Sequence, residues 1–119
     1  MNCRLCRAFL RRRNGCPGCR GDDCGKCKTR VKCQIKNCLA RRGKFCGGCE
    51  RFPCNRLTHL YKRYRTDYAM SMVDNLKAIQ ANGLRGFLAG EKSKWVCAGC
   101  GETICVHSPH CLRCGRKWR

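Results

Sequence analysis

A small α+β fold that depends on cysteine cross-links or bound metal is predicted by three features of the sequence. The chain has sixteen cysteines in 119 residues, a density at which short domains usually lack a large apolar core. Eleven cysteines lie in residues 1–56 and five in residues 95–119. Residues 57–94 contain none and have the apolar spacing of helices. These three ranges are the predicted modules of the protein.

Metal ligation is the favoured use of the thiols. The start MNCRLCRAFLRRR has no apolar run long enough for a secretory leader, and no stretch is long and apolar enough to cross a membrane. We therefore expect a cytoplasmic protein, in which disulfides are rare and clustered cysteines usually bind metal. A disulfide framework and redox-active thiols are the lesser alternatives.

The N-terminal module, residues 1–56, is irregular and rich in C-x2-C pairs. The pairs are Cys3/Cys6, Cys16/Cys19, Cys24/Cys27 and Cys46/Cys49, and the single cysteines are Cys33, Cys38 and Cys54. Because four thiolates complete a tetrahedral zinc site, the eleven thiols fill two sites with three left over, or three sites with one further ligand such as His59. We favour two sites, and spacing does not decide which pairs combine. The spacing from Cys19 to Cys27 also fits part of a plant-type iron–sulfur motif, which is the main alternative.

The helical segment, residues 57–94, predicts three helices. Asn55 is the expected N-cap of the first helix and Thr66 that of the second. Asn82-Gly83 should end the second helix, because glycine tolerates left-handed backbone, and the third should span residues 84–93. The expected inward-facing side chains recur at helical spacing: Leu57, Leu60, Tyr61, Tyr64, Ala69, Met72, Val73, Leu76, Ile79, Leu84, Phe87 and Leu88.

The C-terminal module, residues 95–119, has the spacing of a zinc ribbon. Two C-x2-C pairs, Cys97/Cys100 and Cys111/Cys114, are separated by ten residues, and each is followed by glycine. Such turns present four sulfurs to one ion, and glycine relieves the tight backbone. Cys105, His107 and His110 lie between the pairs and are interpreted as a buried thiol and loop histidines. With the N-terminal sites, the sequence predicts three zinc ions, within a range of two to four.

The chain is strongly basic, with 27 Lys and Arg against 7 Asp and Glu and a formal charge of +20. Ion-bound thiolates lower this figure, but a large positive charge remains, which favours nucleic acid, RNA above all, or an acidic protein as partner. The candidate nucleic-acid contacts are Arg11, Arg12, Arg13, Arg41, Arg42, Lys44, Arg56, Lys62, Arg63 and Arg65. We also consider a protein–protein adaptor and an iron–sulfur electron-transfer protein. We expect no membrane and no small-molecule substrate as partner.

Catalysis is disfavoured by what the sequence lacks. It has no GxxxxGK[ST] phosphate loop, no HExxH and no His with Glu two residues later. Asp22-Asp23 lies beside glycine and is interpreted as a turn. All-cysteine metal sites are usually closed, whereas a catalytic zinc needs an open position.

The chain resembles a widespread prokaryotic family of small cysteine-rich proteins with a domain of unknown function, expected to bind zinc. The resemblance covers almost the whole chain and is carried by CRAFL, CPGCRGDD, TRVKCQIKNC, FCGGCERFPCNRL, RYRTDYAMSMVDNL and CGETICVHSPHC. It implies no reaction. It implies these metal ligands: Cys3, Cys6, Cys16, Cys19, Cys33, Cys38, Cys46, Cys49, Cys54, Cys97, Cys100, Cys111 and Cys114. Cys24 and Cys27 are further candidates outside the family pattern.

Overall fold

The computed structural model describes residues 2–119. Within that range it has three α-helices: α1 (Lys28–Val31), α2 (Asn55–Tyr68) and α3 (Met72–Lys94). Two 3-10 turns, Cys3–Leu5 and Cys46–Gly48, each begin at the first cysteine of a C-x2-C pair. β-Structure in the described residues is confined to two isolated antiparallel bridges, Val96–Thr103 and His110–Lys117. The fold is therefore helical with cysteine-rich loops, and it has less strand than the predicted α+β class implies.

Helix α2 confirms the first predicted helix. Leu57 is buried, and Leu60, Tyr61 and Tyr64 on the same face are half-buried. Tyr64 and Tyr68 meet edge to face, with ring centroids 4.9 Å apart. The predicted apolar face is therefore the inner face of α2.

Both ends of α2 differ from the prediction. The N-cap is Cys54, with extended backbone and no side-chain cap bond, so Asn55 is the first helical residue. Thr66 is wrong as the cap of a second helix, because it lies inside α2 and its Oγ1 donates to the Lys62 carbonyl at 3.0 Å. A threonine can satisfy its hydroxyl within a helix as well as at a cap, so its presence alone does not mark a boundary.

Helix α2 ends instead at Ala69, whose left-handed backbone (φ 50) makes the turn. Ala69 is exposed there, so its predicted place on the inner stripe is wrong. The next helix, α3, begins after Ser71, whose Oγ accepts the N–H of Asp74 at 3.1 Å. This bond is an ordinary serine N-cap contact.

Helix α3 is interrupted where the sequence predicted a break. Gly83 has a φ of 67° and a ψ of 170°, which lie outside the helical region. Beyond it, Phe87 is buried as predicted, but Leu84 and Leu88 are 42% and 41% exposed, so their predicted inward orientation is wrong.

The chain forms two compact units. One contains the described residues up to Val31 together with Ala89–Arg119, and the other contains Lys32–Leu88. The first unit joins the two ends of the chain: the N–H of Val106 donates to the Leu5 carbonyl at 3.0 Å, and both residues are fully buried. The core of this unit is small, and it lies beside the C-terminal cysteines: Leu5, Ala8, Trp95, Cys97, Ile104, Cys105, Val106 and Cys111.

The second unit has its own apolar centre. Its buried side chains come from the start of α2, the turn after it and both halves of α3: Leu57, Met70, Met72 and Phe87. The Gln80 side chain donates to the Gly47 carbonyl at 2.7 Å and thereby joins α3 to the Cys46–Cys49 turn. This unit therefore positions its cysteine turn with a helix.

Candidate metal centre

Two hairpins at residues 95–104 and 109–118, here called the C-terminal hairpins, position four cysteines. In the first, the N–H of Cys97 donates to the Glu102 carbonyl at 2.8 Å and that of Ile104 to the Trp95 carbonyl at 2.9 Å. The second repeats both bonds fourteen residues later, from Cys111 to Arg116 at 2.9 Å and from Trp118 to Pro109 at 3.0 Å. The module is therefore one hairpin built twice.

Each hairpin turns at its C-x2-C-Gly sequence. The N–H of Gly101 donates to the Cys97 carbonyl at 2.8 Å, and that of Gly115 donates to the Cys111 carbonyl at 3.0 Å. Both glycines have left-handed backbone, with φ of 72° and 74°, which residues with a Cβ adopt at a cost. The glycines are needed for their backbone conformation, as predicted from the sequence.

Backbone N–H groups in the turns point at sulfur. The N–H of Gly99 donates to Cys97 Sγ at 3.4 Å, and the N–H of Arg113 donates to Cys111 Sγ at 3.5 Å. Such bonds stabilise negative charge on the sulfur. The turns therefore bring the sulfurs together and favour the thiolate, which is the form that binds metal.

The four sulfurs have the spacing of a tetrahedron. Cys97 Sγ lies 3.6 Å from Cys114 Sγ, and Cys100 Sγ lies 3.7 Å from Cys111 Sγ. All four lie within 4.8 Å of one another. An ion bound to sulfur at about 2.3 Å in tetrahedral geometry spaces its ligands about 3.8 Å apart. The C-terminal four-cysteine group could therefore hold a metal ion, with little movement of its sulfurs.

Three of these thiols have shifted pKa values, and the shifts differ in direction. The N–H of Gly99 lowers the pKa of Cys97 to about 6, and the N–H groups of Cys114 and Arg113 lower the pKa of Cys111. The N–H of Glu102 acts in the same direction on Cys100, but burial and hydrogen bonds from neighbouring thiols outweigh it and raise the pKa of Cys100 to about 12. The turns thus favour ionisation of Cys97 and Cys111, and a bound cation would stabilise all four sulfurs as thiolates.

The other candidate ligands of the C-terminal module lie outside the four-cysteine group. Cys105 has no exposed surface, and burial raises the pKa of its thiol. His107 Nδ1 accepts the N–H of Arg7 at 3.3 Å, which ties the N-terminal segment to this module. His110 is exposed in its β-bridge. The surroundings of all three residues therefore indicate structural roles and not metal ligation.

The predicted N-terminal ligands are not drawn together in the same way. Within residues 2–119, no other three His, Cys, Asp or Glu side chains have ligand atoms within 4.8 Å of one another. All sixteen cysteines, which lie in this range, are free of disulfide bonds. Cys3 meets Cys19, and Cys46 lies near Cys38, Cys49 and Cys54. Cys24 and Cys27 are exposed, Cys33 is half-buried and His59 is exposed on α2, so metal binding by these residues stays a prediction.

Most predicted nucleic-acid contacts are exposed. This is true of Arg11, Arg12, Arg13, Arg42, Lys44, Arg56, Lys62, Arg63 and Arg65. Arg41 differs: it is half-buried, its Nη1 donates to the Ile35 carbonyl at 3.3 Å and its buried Nε has no hydrogen-bond partner. The guanidinium of Arg41 is thus engaged inside its unit, near the thiol of Cys46.

Comparisons with known proteins found no match for the chain. No family model, no curated protein and no solved structure matches it. Among the described residues, no helix is long and apolar enough to span a bilayer.

Proposed function

We propose that the chain is a non-catalytic zinc protein whose C-terminal hairpins form a zinc ribbon, and that it binds nucleic acid, with RNA favoured. The observation that carries the metal part is the near-tetrahedral spacing of the four sulfurs, at 3.6 and 3.7 Å across two pairs. Four thiolates close the coordination shell, which is typical of a structural zinc site. We further propose two ions in the N-terminal module, three in all.

The sulfur spacing favours a single ion over an iron–sulfur cluster at the C-terminal site. A cluster places several irons and sulfides between its cysteines, and so spreads them more widely than ligands of one ion. Zinc is the usual ion of tetrahedral four-thiolate sites outside such clusters. The resemblance to a family of zinc-binding proteins is in keeping with this choice, and membership of that family is part of the proposal.

The nucleic-acid part follows from the charge. Seven carboxylates can neutralise at most seven of the 27 basic side chains, which leaves at least twenty. Each four-thiolate site with one divalent ion changes the formal charge by −4 + 2 = −2, so three such sites lower it from +20 to about +14. A surface so positive attracts polyanions and repels other basic surfaces. Phosphate backbones are the polyanions that such proteins bind most generally.

Helix α2 offers the most ordered basic face. Arg56, Lys62 and Arg63 are exposed and lie opposite the buried Leu57 side, and His59 lies among them. An exposed contact between Arg63 and Asp67 at 3.8 Å partly neutralises this face. Since such an exposed pair is weak, the face remains cationic. We name it the α2 basic face.

A second basic feature lies in the first unit. An open cleft of about 500 Å³ is lined by the basic Arg12 and Arg113, the acidic Glu102, and Leu10, Thr103 and Leu112. Apolar and cationic groups in one cleft suit an unpaired base with its phosphate. Arg113 also contacts Glu102 at 3.6 Å, which leaves Arg12 as the stronger phosphate contact there.

The test measures binding of the zinc-loaded full chain to single-stranded RNA by fluorescence anisotropy over a range of salt. The variant Arg56→Gln/Lys62→Gln/Arg63→Gln removes three phosphate contacts. It should reduce the slope of log affinity against log salt by about 2, since each contact to single strands contributes about 0.7. The matched control is Lys77→Gln/Arg85→Gln/Lys92→Gln, which removes the same charge from exposed positions of α3. The control should keep most of the wild-type slope.

Two results would count against the nucleic-acid proposal. No binding at micromolar protein and low salt would reject it and favour an acidic protein partner. Equal losses in the variant and its control would reject the α2 basic face as the contact surface. Zinc content is measured on the same samples, so that a failure of RNA binding is separated from a failure of metal binding.

A further inference from the structure

A second contact between cysteines lies near the N-terminus, in the first unit. The N–H of Cys19 donates to Cys3 Sγ at 3.3 Å, and the two thiols are hydrogen-bonded to each other. Each belongs to a C-x2-C pair, Cys3/Cys6 and Cys16/Cys19, and nine residues separate the two pairs along the chain. Contact between their outermost members brings both pairs to one place.

Both pairs are held by backbone bonds. The turn at Cys3 is closed by the N–H of Cys6, which donates to the Cys3 carbonyl at 2.9 Å, and the N–H of Cys16 donates to the Ala8 carbonyl at 2.8 Å. Ala8 is buried in the unit core, so the second pair is tied to a fixed point. Gly18 has a φ of 93°, and a Cβ there would lie 3.8 Å from Cys3 Sγ. The second turn therefore passes close to the first.

The pairing repeats the arrangement of the C-terminal hairpins. There, the first cysteine of one pair meets the last cysteine of the other, Cys97 with Cys114 at 3.6 Å. Cys3 and Cys19 stand in the same relation. In the hairpins the remaining two cysteines, Cys100 and Cys111, then lie 3.7 Å apart, and the same relation would bring Cys6 to Cys16. Cys6 is indeed close enough to act on the charge of Cys19.

A buried cation lies beside these thiols. The side chain of Lys26 is only 1% exposed, and its Nζ donates to the Gly21 carbonyl at 2.6 Å and to Asp23 Oδ1 at 3.0 Å. Its charge also acts on Cys3. Burying an ammonium is costly unless negative charge is near. Asp23 already supplies one negative charge, and one divalent ion with four thiolates, which carries −4 + 2 = −2, would add to it.

We propose that Cys3, Cys6, Cys16 and Cys19 form a second four-thiolate site for a divalent ion such as zinc. The proposal deepens the metal-binding function proposed above and rests on it. Binding exchanges the four thiol protons, which leave to solvent, for one ion. No three of these sulfurs lie within 4.8 Å of one another, so binding requires side-chain rearrangement, and a change of χ1 rotamer moves a sulfur by about 3 Å. Lys26 then offsets part of the charge.

The first test needs no variant. The zinc-loaded full chain is treated with N-ethylmaleimide before and after chelation, and labelled cysteines are mapped by mass spectrometry. Cys19, Cys24 and Cys27 are all exposed, which makes the last two matched controls. We expect Cys24 and Cys27 to react at once, and Cys3, Cys6, Cys16 and Cys19 to react only after chelation.

Either of two labelling results would contradict the proposed four-thiolate site. One is reaction of Cys19 in loaded protein at the rate of Cys24. The other is protection of Cys3 and Cys19 that persists through chelation and ends only with reductant, because that result identifies a disulfide. Cys114, also exposed, reports on the C-terminal site in the same experiment. Its labelling before chelation would reject that site without deciding the fate of the N-terminal one.

The second test uses cadmium-113 NMR of the cadmium-loaded full chain. Cys6→His keeps four ligands but replaces a sulfur with nitrogen, so one resonance should shift to lower frequency while the others stay. Cys16→His should shift the same resonance, and Cys114→His a different one. Cys27→His is the control and should shift none. The site is rejected when Cys6→His and Cys16→His shift different resonances or none.

Discussion

The backbone of the cysteine turns gives a prediction whose magnitude follows from the structure. Gly101 has a φ of 72°, and a Cβ added there meets no atom within 4 Å. Gly101→Ala therefore introduces backbone strain alone, about 1–2 kcal/mol for an L-residue in the left-handed region. Because metal binding and folding of such turns are coupled, the strain should lower the apparent zinc affinity roughly 5- to 30-fold. Gly115→Ala, with the same geometry, should have the same effect.

The assay is chelator competition followed by tryptophan fluorescence. The two tryptophans of the chain, Trp95 and Trp118, both lie in the C-terminal hairpins, so their emission reports on this site selectively. Gly43→Ala is the matched control: its φ is 75°, its surroundings are equally open and it lies in the other unit. It should leave the fluorescence midpoint unchanged. A midpoint for Gly101→Ala equal to that of wild type would refute the reasoning.

Three further predictions concern the first unit, each checked by chemical unfolding of the zinc-loaded chain followed by circular dichroism. Trp95→Phe removes the 3.0 Å hydrogen bond to buried Glu91 and should lower the free energy of unfolding by about 1–3 kcal/mol. Adding Glu91→Leu should recover part of this loss. No recovery would contradict the prediction. Cys105→Ala should cost about 1 kcal/mol without loss of zinc. Burial raises the pKa of Cys105, so the unfolded thiol ionises first and stability falls as pH rises above about 8.5; Cys105→Ala should lessen that fall. Arg113→Ala breaks an exposed pair with Glu102 and should cost less than about 1 kcal/mol.

The C-terminal four-cysteine group was predictable because everything that forms it is local. The spacing of Cys97, Cys100, Cys111 and Cys114 and the glycine after each pair specify two turns, whatever the rest of the chain does. The first helix was predictable for a similar reason, since the apolar face of α2 recurs at helical spacing. The fourteen-residue repeat of the hairpins was equally present in the sequence, and it would have predicted which sulfurs meet.

The ends of the helices and the inward-facing residues of the third helix were harder to predict from the sequence. Thr66 and Ser71 are both chemically able to cap a helix, and the turn at Ala69 decides in favour of Ser71. Leu84 and Leu88 have the spacing of an inner face, but they stay exposed, whereas Phe87 between them is buried. Such outcomes depend on what packs opposite each residue, which local patterns do not contain.

The pairing of the N-terminal cysteines could not be read from spacing because long-range contacts determine it. Leu5 bonds to Val106 near the other end of the chain, and Arg7 bonds to His107. These contacts fix the position of the Cys3/Cys6 turn. The contact between Cys3 and Cys19 depends on that position. The burial of Lys26 is likewise invisible in a sequence with so many exposed basic residues.

The measurement that tests the central claim most directly is X-ray absorption at the zinc edge, combined with elemental analysis of anaerobically purified full chain. The account predicts at least one zinc per chain in a shell of sulfur alone at about 2.3 Å, and Cys114→His should add nitrogen to that shell. Protein without stoichiometric zinc, zinc bound by oxygen and nitrogen alone, or Cys97 and Cys114 found joined as a disulfide would contradict it.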